Sequence, residues 1–381
     1  MIVYGLDILN AEFFLFASCI ICAIVSIATG SSWATIATIG IALMAIGNVL
    51  TISPGLVAGS IISGAYFGDK MSPLSDTTNL AAAMAETDIF VHIKYMMYTT
   101  IPSFLITSII FLVIGFSFDT STEYSTPTIV SAIEASKLKI DNLWLFIVPL
   151  TVVILIIKKV PAIQSLLIGT ILGGLFAIIF QPDIILEITQ AQSDFMSTET
   201  AFKGVGMAMI GDVMIKTPDL EISKKILNSD GIIGMLDTVF LVICAMCFSG
   251  AMQAGGLLKI ISQYIIRYAK NNGSLVATTS GTCLLINITT CDQYLSIVVP
   301  GRMFKENYHL QGLASENLSR TLEDSGSVTS VLVPWNTCGM YSMNTLKVDP
   351  SVYIPYCFFN LISPLMTIIY AYLKIKIKKT S

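Results

Sequence analysis

Residues 52 to 68 carry no charged side chain, and eight further apolar runs of similar length lie along the chain, at 13–27, 35–50, 102–118, 143–157, 162–180, 232–249, 275–290 and 352–373. About 20 apolar residues span the hydrocarbon of a bilayer. Backbone amides in that medium must be satisfied internally, which leaves helices or closed barrels. These runs are too long and too evenly apolar for barrel strands, whose residues alternate. The chain therefore reads as an all-α polytopic membrane protein. Composition agrees, with 54% hydrophobic and only 12% charged residues, about half the roughly 25% charge of soluble domains. Mean hydropathy is +0.77. No cleavable signal peptide is expected, because a basic leader and an A-x-A site are missing.

Charge layout orients the chain. "KIKIKK", residues 374–379, follows an apolar span, and short basic flanks stay cytoplasmic. Lys158 and Lys159 point to the same side, as do Lys259, Arg267 and Lys270. The stretch 183–230 is the longest polar connection and reads as an external loop or surface helix. Cys19/Cys22 and Cys244/Cys247 are C-x-x-C pairs in apolar runs, and the histidines are only His92 and His309. Small buried thiols are the expectation there, not a metal centre needing four convergent ligands. Without a Walker loop or G-x-G-x-x-G, the chain suggests no nucleotide-driven step, no cofactor and no nucleic-acid partner.

Polar interruptions recur in order. "TGSSW" (29–33) and "TTCDQ" (289–293) break long apolar helices; "DKMSPLSDTTN" (69–79) and "DSGSVTSVLVPWNT" (324–337) follow as polar knots; Pro102 and Pro355 then open exit spans. Such doubling is the sign of a secondary transporter whose broken helices meet at the membrane midplane. Small residues that merely aid packing explain Ser60, Ser63 and Thr170. They do not explain Asp69, Asp76, Asp292 and Asp324, each costing roughly 2.5–3.5 kcal/mol at mid-span. The expected layout is a first repeat at 1–120 with a re-entrant hairpin at 64–88, connecting spans at 121–231, and a second repeat at 232–381 with a hairpin at 319–346. The repeats are taken as inverted.

"GAYFGDKMSPLSDTTNLAAAMAETDIFVHIKYMMYTTIP" (64–102), "CDQYLSIVVPGRMF" (291–304) and "SRTLEDSGSVTSVLVPWNTCG" (319–339) resemble the blocks of the NhaC family of sodium/proton antiporters, which includes sodium-coupled malate/lactate exchangers. The resemblance implies cation-coupled antiport through an ion-transporter-like fold in the plasma membrane, with sodium and protons as partners and malate or lactate in one branch. Elevator-like relatives are commonly dimers, so a homodimer is part of that expectation.

Hard cations prefer carboxylate, carbonyl and hydroxyl oxygens, and "SDTTN" and "PWNT" supply all three. Pro73 should unwind the backbone between Asp69 and Asp76. Asp76 and Asp324 are the expected exchanging carboxylates, with Asp69 and Asp292 beside them. Ser72, Ser75, Thr77, Thr78, Asn79, Ser327, Asn336 and Thr337 are the expected supporting ligands. Sodium itself is assigned to Asp76, Asp324, Thr77, Asn79 and Asn336. Competing readings make Asp69 a structural partner of a basic residue such as Arg320, and Asp292 a helix cap. Glu323 is expected to face an interfacial arm, and His92 and Lys94 to be interfacial anchors. The main rival function is exchange of small organic acids, for which Lys70 and Arg302 are the few cations inside spans. An aspartyl intramembrane protease needs G-x-G-D, and the chain has Tyr66-Phe67-Gly68-Asp69 instead. No enzyme activity is expected.

Overall fold

Helices dominate because each amide in an apolar span must find its partner within the span. The computed structural model describes residues 11–118, 142–190 (except 159 and 161), 196–256 (except 212, 216–227 and 230) and 264–380 (except 266). Residues 119–141, 191–195 and 216–227 of the expected connecting region, with Lys159 and Lys259, lie outside them. In order come α1 (Ala11–Thr29), α2 (Ser32–Val49, with a π turn at Ile36–Gly40), α3 (Pro54–Met71), α4 (Asp76–Met84), α5 (Ile89–Gly115), α6 (Ile147–Ile157), α7 (Ala162–Phe180), α8 (Pro182–Thr189) and α9 (Thr198–Ile210). Antiparallel strands β1 (Val213–Met214) and β2 (Asn228–Ser229) follow. The chain continues through α10 (Leu236–Ala254), α11 (Asn272–Thr290), α12 (Leu295–Leu310), α13 (Ser315–Leu322), α14 (Thr337–Leu346), α15 (Pro350–Tyr353) and α16 (Phe358–Tyr372).

Exposure is inverted relative to a protein in water. On α5, Leu105, Ile109 and Val113 are exposed, whereas Thr99, Thr100, Ser103 and Thr107 are fully buried. Phe240, Ile243, Met246 and Phe248 of α10 are likewise exposed. Hydrocarbon solvates such surfaces, and polar groups turn inward to find partners. Among the described residues, α1, α2, α5 and residues 233–252 are long and apolar enough to cross a bilayer. Two bent pairs also qualify: residues 164–180 with α8, at 99°, and 350–356 with α16, at 53°. This is a multi-pass membrane protein.

Two expectations change. Pro102 does not open a span; it sits inside α5, a helix of 27 residues. The helix runs on through it; Thr99 donates to the Met96 carbonyl at 3.1 Å and Ser103 to that of Thr99 at 2.7 Å, on either side of the Tyr98 carbonyl that the proline leaves without its amide. The 275–290 run forms α11, which is not apolar enough to qualify as a span, because Thr279, Ser280, Thr282, Asn287 and Thr290 are buried polar residues along it.

Two compact units emerge. One groups described residues within 45–52 and 120–239, where α6 packs on α7 and α8 on α9. The other groups 11–44, 53–118 and those described within 240–380. Its apolar core includes Leu275, Ile297, Phe304, Tyr308, Leu318 and Leu322. Within it α1 and α3 approach closely: a Cβ on Gly64 would overlap the Cys19 carbonyl, and one on Gly68 that of Ala23. Ser26 fastens the pair by donating to the Ala65 carbonyl at 2.6 Å. Small residues permit such contact in lipid. Gly64→Val should therefore lower the thermal unfolding midpoint of the purified protein, by an overpacking cost of about 1–3 kcal/mol or more. An unchanged midpoint would contradict this packing.

Candidate functional site

Helix breaks build the site. At the first, Gly30 ends α1 with φ +67°, where a Cβ would lie 2.6 Å from that of Leu74. At the second, Cys291 ends α11 in a left-handed conformation, φ 59°, a strained choice for a residue with a side chain. A third break, at 72–75, separates α3 from α4 around Pro73. Thr78 spans it by donating to the Lys70 carbonyl at 3.2 Å, and exposed Asn79 donates to the carbonyls of Pro73 and Ser75 at 2.9 and 2.6 Å. Ser72 Oγ accepts from the Leu74 amide. The fourth irregularity is a π turn, Glu323–Ser327, directly after α13; such turns gather at functional sites.

These breaks converge on buried carboxyl groups. Asp69 Oδ2 accepts from the Ser32 amide at 3.0 Å and the Ser32 hydroxyl at 2.7 Å, tying the end of α3 to the start of α2. Thr77 donates to Glu323 Oε1 at 3.3 Å and lies 3.1 Å from Ser75 Oγ. Asp69 and Glu323 are within electrostatic reach of one another, with Ser75 beside the first and Ser327 beside the second. Three oxygens there are buried without a hydrogen-bond partner: Asp69 Oδ1, Glu323 Oε2 and Ser327 Oγ. Buried polar atoms normally have partners; orphans also occur at Ser18, Thr100 and Thr367, but here three fall beside two acids, with the Ser75 and Ser327 hydroxyls close enough to act on them.

Asp324 turns elsewhere. It pairs with Lys70, which also donates to Ser363 at 3.0 Å, and its other oxygen accepts from Thr99 at 2.8 Å. All of this is buried. Fully ionised, Asp69, Glu323, Asp324 and Lys70 would sum to +1 − 3 = −2. Such an excess away from water calls for protons or a bound cation. Among the described residues no three His, Cys, Asp or Glu side chains cluster as a metal site. What the cage offers is two carboxylates with hydroxyls, a donor set for a hard cation.

The expected residues thus separate. Asp69, Ser75, Thr77 and Ser327 come together, joined by Glu323, which is wholly buried and not at an interface. His92, also buried, has Nδ1 2.8 Å from Ser319 Oγ and is no interfacial anchor. Asp76 is exposed and accepts from the Tyr294 hydroxyl at 2.6 Å. Asp292 accepts the Leu295 amide at 2.8 Å, at the start of α12. Asn336 donates to Asn287 and caps α14, while the Thr337 amide reaches the Cys291 carbonyl, so both hold the second knot to the second break. Asn287 and Gln293 in turn satisfy the Gly326 and Ser327 carbonyls of the π turn. Ser32, Thr99, Ser363 and Glu323 escape sequence reasoning. The available signal was the adjacency of Glu323 and Asp324, two acids in one apolar block, each needing its own partner.

The profile of the Na+/H+ antiporter family matches residues 64–375. The chain belongs to the Na+/H+ antiporter family. It is 39% identical over 381 residues to the Na(+)/H(+) antiporter NhaC of Alkalihalophilus pseudofirmus, covering 100% of this chain and 78% of that protein. Identity to the malate-2H(+)/Na(+)-lactate antiporter of Bacillus subtilis is 35%, over 98% of this chain and 76% of the relative. The arginine/ornithine antiporter ArcD of Halobacterium salinarum is 32% identical, over 96% and 72%. The family match takes in Asp69, Thr77, Glu323 and Asp324 together with Lys70.

Removing Lys70 strands the Asp324 charge. Lys70→Met should destabilise the purified protein by about 3–5 kcal/mol, read as a fall in unfolding midpoint. Combining it with Asp324→Asn should recover part of the loss, as coupled partners do. Strictly additive losses would contradict the pairing.

Proposed function

We propose that this antiporter-family chain exchanges sodium for protons across the plasma membrane, at a cage formed by Asp69, Glu323, Ser75, Thr77 and Ser327. The supporting observation is the uncompensated pair of buried carboxyl groups with three orphaned oxygens between the helix breaks. Protons or a sodium ion would satisfy those atoms in turn, each displacing the other through its affinity for the same oxygens. Asp324 in this reading is the fixed counter-charge of Lys70, and exposed Asp76 lies outside the cage. Asp292 contributes by starting α12. The two break-and-knot sets, 1–120 and 232–381, would act as inverted repeats joined through 121–231, with a cytoplasmic C-terminus set by the lysines of 374–379.

An organic-acid exchanger would want a buried cation free to meet a carboxylate. Lys70 is taken by Asp324 and Arg302 is exposed. The buried Arg320 lies against Tyr95 and the Lys376 carbonyl, with no ion pair to Asp69 or Glu323 among the described residues. That favours the bare cation.

In everted vesicles carrying a pH dye, sodium alone, without malate or lactate, should drive proton movement by the wild type. Asp69→Asn and Glu323→Gln should each lower the rate by at least about tenfold, the price of roughly 1.4 kcal/mol in one ligand. Asp76→Asn should keep most of it. Full activity in Glu323→Gln, or a strict need for an organic acid, would overturn the proposal.

A further inference from the structure

The last residues fold back onto α13 and leave a cavity of about 510 Å³, whose lining includes Lys94, Tyr95, Tyr98, Glu316, Lys376 and Lys378. The fold-back is anchored at many points. Lys378 O accepts from the Ala314 amide at 3.0 Å and from Asn317 Nδ2 at 2.7 Å, and the Thr380 amide donates to Gly312 O at 3.0 Å. Lys376 O lies 2.5 Å from Tyr95 Oη and accepts from Arg320 Nη1 at 3.2 Å. Lys374 and Lys376 are held at φ 56° and 49°, left-handed backbone that a lysine adopts only under constraint. The backbone that carries these lysines is therefore tied to α13 and α5.

Charge in the cavity is one-sided. Glu316 pairs with Lys378 at 2.5 Å and raises its ammonium above the usual range through that hydrogen bond. Lys94 and Lys376 have no carboxylate partner among the described residues; Lys376 Nζ sits 4.7 Å from the centre of the Tyr98 ring. Behind Tyr95, Arg320 is wholly buried and stacked on the ring at 4.7 Å, with Nε and Nη2 unpartnered. A buried guanidinium with no carboxylate partner among the described residues adds positive potential on that side. Phe90, Val91, Tyr98, Tyr372, Leu373 and Ile375, along the two segments that carry these lysines, are exposed apolar or aromatic residues. Lysines and tyrosines beside an apolar surface are the setting of a lipid headgroup region.

We propose that this cavity binds the phosphodiester headgroup of an anionic phospholipid, with Lys94 and Lys376 as its charged contacts. The ammoniums of Lys94 and Lys376 supply the charge, the Tyr98 ring lines the cavity beside Lys376, and the exposed apolar residues receive the acyl chains. A soluble anion would satisfy only the first of these.

The test titrates the full chain, purified in detergent, with short-chain phosphatidylglycerol, short-chain phosphatidylcholine or inorganic phosphate, and follows the unfolding midpoint. Phosphatidylglycerol should raise it saturably and the other two should not. Lys94→Gln/Lys376→Gln should shift half-saturation roughly thirtyfold, and either single substitution about fivefold. Both lysines are exposed, so the unliganded midpoints should match the wild type. Lys305→Gln, which removes the partner of Glu86, should titrate as wild type. Equal responses to the two lipids, full stabilisation by inorganic phosphate, an unshifted double variant, or an equal loss in Lys305→Gln would each overturn the assignment.

Discussion

Three buried carboxyl groups, of which one pairs with the buried ammonium of Lys70, impose the logic of this molecule. Asp324 takes the charge of Lys70, and Asp69 and Glu323 are buried without an ion-pair partner among the described residues. In water that imbalance would be screened; in a bilayer it must be answered by protons or by an ion. Neighbouring hydroxyls reach one oxygen of each carboxyl group and leave the other without a partner, which is the opening the proposed exchange uses.

The helix breaks exist to make this arrangement possible. A continuous helix satisfies its own amides and has none to offer a side chain in its interior. Breaking it at Gly30 frees the Ser32 amide for Asp69, and the break at 72–75 points Thr77 at Glu323. The π turn at Glu323–Ser327 re-aims two consecutive acids, one toward α4 and one toward Lys70 and α5. Its displaced carbonyls are taken up by Asn287, Gln293 and Ser296. Each irregularity leaves donors that the next one uses, which is how backbone at membrane depth stays satisfied.

Much of the fold was legible because hydrocarbon punishes stray polarity: a "TGSSW" or a "TTCDQ" inside an apolar run can only be a break, and α1/α2 and α11/α12 part at those places. Pro73 signalled the third break for its own local reason. Choosing among the acids was harder. Lys70 and Asp324 are 254 positions apart, and no local pattern announces such a pair. Glu323 looked peripheral because adjacent residues on an α-helix face different ways, and a π turn cannot be read from composition. Asp76 looked central because it lies in the polar knot, yet it is the first residue of α4 and exposed. Pro102 misled because a proline in a membrane helix need not end it, and α5 runs through this one.

Sodium binding at a shared seat should expel protons, so the most direct measurement adds sodium chloride to unbuffered purified protein and follows solution pH beside sodium uptake. The account predicts acidification that saturates together with binding, and loss of both when Asp69 and Glu323 are replaced by Asn and Gln. Saturable sodium binding that releases no protons would contradict it.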